Sequence, residues 1–148
     1  EMVIRDWSSD VCSSDLPPPS RWRRFLVYHL PALLYAVGII AVSSLRYLRP
    51  PDIDIPQFDK IIHFSEYAIF AFLIFRSFYH LGREPNLRRS LLLSALFVSL
   101  FALLDETYQR FVPGRHSDWR DFAVDVLGAF IVLSCLGLYR GWKRRRSY

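Results

Sequence analysis

Cysteine is scarce in this chain, with two in 148 residues and no Cys-x-x-Cys pair. That excludes a disulfide framework and a zinc site built from thiolates. Cys12 lies in a polar leader and Cys135 deep in the last apolar segment, so the two are not expected to meet. The first twenty residues lack the apolar core that a signal peptide needs. Internal repeats and low-complexity tracts are absent, as is the Pro-Ser-Gly-His signature of membrane phosphatases. The net charge is +5, yet no soluble recognition module accompanies it, which argues against nucleic acid as a partner.

What the chain does have is segregation. Hydrophobic residues make up 52% and charged residues 22%, and the two kinds fall in separate blocks, as they do in membrane proteins. Residues 1–20 are rich in Ser and Asp, and the stretch 5–16 resembles a translated sequencing adapter. This segment is read as a disordered leader or a non-native piece that carries no chemistry. Four apolar segments follow, at 25–45, 61–81, 91–104 and 122–138, separated by Pro50-Pro51, Pro56, Gly82, Pro85 and Pro113-Gly114. The third reaches spanning length only if its helix runs on through Thr107 and Gln109. Backbone groups in lipid must be satisfied within their own segment. The expectation is therefore all-α, a four-transmembrane-helix bundle over residues 21–140, with a basic tail at 141–148.

Lys and Arg in the short flanks number eleven on the side of the two termini and six on the other, with Arg76 free to snorkel to the former. The bias predicts that both termini are cytoplasmic, in a multi-pass protein of the bacterial cytoplasmic (inner) membrane. Next to a span, the tail at 140–146 reads as a flank touching anionic membrane lipids.

Seven of the 14 acidic residues gather near three segment ends that should meet at the outer side. The motifs are Asp59-Lys60-x-x-His63-x-x-Glu66-Tyr67, Asp105-Glu106-x-x-Gln109 and Arg115-x-x-Asp118-x-x-Asp121-x-x-x-Asp125. Asp59, His63 and Glu66 stand at i, i+4 and i+7, and Asp118, Asp121 and Asp125 at i, i+3 and i+7, so each set makes a stripe on one helix face. Ionisable groups at membrane depth cost about 2.5–3.5 kcal/mol each on insertion scales, and they normally face a bundle interior or a wet cavity. Arg115 is suited to grip a carboxylate or a phosphate in two-pronged fashion. Tyr67, Tyr108 and Trp119 fit an interfacial aromatic belt, Lys60 a helix-end anchor, and Gly128-Ala129 close helix packing. The spacing assigns no metal site and no cofactor.

Together the motif from Asp59 to Tyr67, the run from Asp105 to Asp118 through Pro113-Gly114-Arg115, and Asp121-x-x-x-Asp125-x-x-Gly128 resemble the VanZ-like family of small bacterial membrane proteins. The family is named for a teicoplanin-resistance accessory protein. The likeness covers about residues 21–138, and it departs where this chain has Asp125 and the family pattern usually has Asn. The resemblance implies a helical membrane protein but supplies no reaction.

Three functions compete on this reading. The first is a protein that binds an envelope component, such as a lipid-linked or glycopeptide molecule, and contributes to glycopeptide resistance. The second is a membrane enzyme acting on a phosphorylated lipid, in which His63, Glu66 and the Asp residues act as acid–base groups or hold a hard divalent cation while Arg115 clamps phosphate. Against it, no nucleophile stands beside a base. The third is a proton-coupled transporter using Glu66 or Asp125, for which four helices would have to assemble as a homo-oligomer.

Overall fold

A helix closes its backbone hydrogen bonds within its own segment, and about twenty residues of it cross a bilayer. The computed structural model of the chain describes residues 20–45, 58–82, 85–113 and 118–146. Among these residues it contains helices and no strand. Four helices are long and apolar enough to cross a membrane: α1 (Arg21–Ser43), α2 (Phe58–Tyr79), α3 (Leu87–Gln109) and α4 (Trp119–Arg145, with Trp119–Lys143 as its span). The third helix does run on through Thr107 and Gln109 to 23 residues. The basic tail does not separate from the last helix, because α4 continues through Gly141 to Arg145. Residues 1–19 of the leader lie outside the described residues, whereas Ser20 caps α1 by accepting the Arg23 N–H at 3.3 Å.

Proline shapes α1. Pro31 has no N–H to offer the carbonyl of Val27, four residues back. A π-helical turn over Phe25–His29 precedes it, and Arg76 of α2 reaches across so that its Nη2 donates to the Val27 carbonyl at 2.7 Å. Arg76, expected to snorkel towards the basic flank, thus satisfies a neighbouring backbone.

Helices α2, α3 and α4 pack on one another, and α1 lies against α2 and α3 without touching α4 among the described residues. Round the bundle the order is α1, α2, α4, α3. Lys60 meets Asp121 near one end of α2, and Tyr79 meets Arg140 at the other, so α2 and α4 run parallel. Their approach depends on Gly128, where an added Cβ would sit 2.5 Å from the Phe64 carbonyl oxygen. Helix α3 turns a face of small residues inward, with Ser90, Ser94, Val98 and Ala102 all buried, the kind of surface that lets membrane helices come close. Tyr67, Phe70, Ala71, Phe75 and Leu133 fill the centre. Large apolar side chains such as Leu34, Leu92, Leu96, Phe130 and Leu138 point outward, an exposed surface that suits lipid and not water.

Candidate functional site

One end of the bundle collects the C-terminal ends of α1 and α3 and the N-terminal ends of α2 and α4. Two rungs join the parallel pair there. Lys60 Nζ donates to Asp121 Oδ1 at 2.7 Å, and His63 Nδ1 is hydrogen-bonded to Asp125 Oδ1 at 3.2 Å. The rungs are one helical turn apart on each helix, which is why an i, i+3 pair on α2 matches an i, i+4 pair on α4. Asp125 is 1% exposed, so His63 meets a carboxylate that water does not reach.

A second network crosses α1, α2 and α3. Asp105 Oδ2 accepts from Ser43 Oγ at 2.9 Å, from Gln109 Nε2 at 3.0 Å and from the Tyr67 hydroxyl at 3.5 Å. Gln109 Nε2 also lies 3.4 Å from Ser43 Oγ. Asp105 Oδ1 is buried and has no hydrogen-bond partner among the described residues. Beside it, Glu106 is buried as well. His63, Glu106 and Asp125, from three helices, bring one donor atom each within 4.8 Å of one another. The chemistry available is that of carboxylates close to an imidazole: proton exchange between them, hydrogen bonding to a hydroxylated or amine-bearing group, or capture of a cation.

The structure redraws the stripe expected on α2. The residues that face α3 and α4 are Lys60, His63 and Tyr67. Asp59 stays at the rim with 46% of its side chain exposed, 3.9 Å from Lys60. Glu66 turns towards α1 and lines an open groove of about 520 Å³ with Pro31, Leu34, Tyr35, Gly38, Ile39, Val42 and Leu73. A smaller groove of about 210 Å³ lies on the other side of α1, lined by Ile40, Phe101, Leu104, Asp105 and Tyr108. Tyr67 is no part of an aromatic belt, being fully buried, while Tyr108 and Trp119 are exposed. Asp118 caps α4, its Oδ1 accepting the Arg120 N–H at 3.0 Å. Arg115 lies outside the described residues.

Sequence reasoning missed Ser43, which ties α1 to the network, and Ser44, whose Oγ lies 3.0 Å from the Tyr108 hydroxyl. The available signal was a Ser-Ser pair closing an otherwise apolar run.

A family model described as VanZ/LLP1 matches residues 13–140. The chain belongs to the VanZ/LLP1 family. In this VanZ/LLP1 member the matched stretch includes all four helices up to Arg140, and with them both polar networks. No curated protein and no solved structure matches the chain significantly.

Proposed function

We propose that this VanZ/LLP1 protein binds an amphiphilic component of the bacterial cell envelope, with the polar end of the bundle towards the outer leaflet of the cytoplasmic membrane. The observation that carries the reading is the groove between α1 and α2. Its lining is apolar except for the Glu66 carboxylate and the Tyr35 hydroxyl. From Pro31 to Val42 it follows α1 for about 17 Å at 1.5 Å per residue, enough for much of an acyl chain. Val42 adjoins Ser43, the first member of the buried network. A molecule lying there places its chain against lipid-facing side chains and its head over carboxylates, which suits hydroxyl- or amine-bearing groups such as those of sugars and glycopeptides. Orientation rests on the excess of Lys and Arg in the flanks at the opposite end.

The family's link to teicoplanin resistance makes teicoplanin the first ligand to test. In a host expressing the protein, the parent should raise the concentration of teicoplanin that stops growth. Gly38→Phe should cancel the effect by filling the groove, since no described atom would lie within 4 Å of a Cβ at this position. Glu66→Gln should cancel it by removing the groove's charge, at equal membrane levels of each variant. A parent without effect would remove teicoplanin as the ligand, and a fully active Gly38→Phe would remove the groove.

A further inference from the structure

We propose that His63, Glu106 and Asp125 form a binding site for one divalent transition-metal cation of the zinc or manganese class. The three side chains come from α2, α3 and α4, and one donor atom of each lies within 4.8 Å of the others. A set of one imidazole and two carboxylates suits such ions, whereas calcium takes six or more oxygens and magnesium keeps most of its water.

One of the three spacings is already that of a formed site. Two ligands on one ion, each about 2.1 Å from it, stand about 3.0 Å apart at a right angle and about 3.4 Å apart at the tetrahedral angle. His63 Nδ1 and Asp125 Oδ1 are already 3.2 Å apart. An ion entering between them replaces their shared proton, and a rotamer adjustment of Glu106 brings in the third ligand.

The surroundings independently call for positive charge. Asp105, adjacent to Glu106 in the chain, is 6% exposed, and its Oδ1 is buried without a hydrogen-bond partner among the described residues. Among the described residues, the three donors that reach this carboxylate go to Oδ2. The nearby ammonium of Lys60 is engaged by Asp121 at 2.7 Å. A cation at His63, Glu106 and Asp125 stabilises the whole buried carboxylate group, since an attraction through low-dielectric surroundings is only weakly screened. Three protein ligands also leave a coordination position open to an oxygen of a bound molecule, as in catalytic zinc centres.

The test uses metal alone, so its result does not depend on whether the groove takes an amphiphile. The full chain, purified in detergent and stripped with chelator, is dialysed against Zn²⁺, Mn²⁺ or Mg²⁺ and its metal content counted. The expected result is one Zn²⁺ or Mn²⁺ per chain, no Mg²⁺, and a higher melting temperature with the bound ion. Glu106→Gln and Asp125→Asn should each weaken binding at least tenfold, whereas Asp59→Asn, at the rim of the same end, should bind as the parent does. Should the buried variants fail to fold, pulsed electron paramagnetic resonance of the Mn²⁺-loaded parent should reveal coupling to one imidazole nitrogen. Substoichiometric metal, equal loss in Asp59→Asn, or a spectrum without nitrogen coupling would each overturn the site.

Discussion

The two ends of this bundle handle charge in opposite ways. At the polar end, Asp105, Glu106 and Asp125 are between 1% and 6% exposed. Asp105 and Asp125 are hydrogen-bonded from two other helices, with Gln109 of α3 adding a bond to Asp105 from its own. At the basic end, cations are accommodated singly, by rings and by a carbonyl. Arg140 lies 4.0 Å from the Tyr79 ring centroid and 5.3 Å from that of Phe75, and Arg76 bonds Val27. The cause is side-chain length. An Arg or Lys rooted at depth extends towards the interface and carries its charge out, but an Asp or Glu is too short and must be met where it stands. Acids are therefore held in shared networks between helices, whereas each of these cations makes its own separate contact with a neighbouring helix.

Removing a hub acid should give the largest difference between the ends. Asp105→Ala leaves the Ser43, Tyr67 and Gln109 donors facing a buried void, at about 1–3 kcal/mol for each donor left unmet. Arg140→Ala loses stacking worth roughly 0.5–1 kcal/mol at an accessible site. Melting temperatures in detergent should fall well below the parent for the first and hardly at all for the second. Equal losses would mean that the polar network holds nothing together.

A methyl group probes the same contrast at smaller scale. Gly128→Ala drives a Cβ into the Phe64 carbonyl and should cost about 1–3 kcal/mol. Gly141→Ala meets no described atom within 4 Å and should be neutral or stabilising by up to about 1 kcal/mol through helix propensity. Melting temperatures that move together would show that α2 and α4 do not need their close contact.

The smallest effect belongs to pH. His80, just beyond α2, has its pKa lowered from 6.5 by burial and by the positive charges of Arg140, Arg76 and Arg24. A histidine whose folded value lies below its unfolded value takes up its proton more readily when unfolded. Its contribution is therefore complete above about pH 6.5 and declines as pH falls through the window beneath it. Between about pH 7.5 and about pH 5, the parent should lose slightly more thermal stability than His80→Gln. Parallel curves would exclude His80 as the sensing group.

The number of helices was legible, because apolar runs bounded by Pro and Gly have one solution in lipid, but not the full length of the last two, which run on through polar residues to Gln109 and Arg145. The gathering of acids near three segment ends was legible too. The face of α2 was not. Positions 59, 63 and 66 and positions 60, 63 and 67 are both helical sets, and both contain His63. Periodicity identifies a stripe but not which neighbour lies on which side of it. That depended on α4 packing beside α2, which in turn rests on a missing Cβ at Gly128. Ser43 was hidden for another reason: a neutral hydroxyl does not interrupt an apolar run. The link from Arg76 to Val27 required knowing which helix stands opposite Pro31.

The order of helices around the bundle has an electrostatic result. Each helix carries partial positive charge at its N-terminus and partial negative charge at its C-terminus. In a ring that followed chain order, these signs would alternate around the polar end and largely cancel. Here α2 and α4 stand side by side and both begin at that end, while α1 and α3 stand side by side and both finish there. The helix dipoles thus contribute positive potential to one half of the mouth and negative potential to the other. Asp59 and Asp121 sit in first turns, in the favourable half, and Asp105 and Glu106 sit near the end of α3, in the unfavourable one. The pairing of like ends gives the carboxylates at the starts of α2 and α4 a favourable dipole from two helices at once, and sets those of α3 against two.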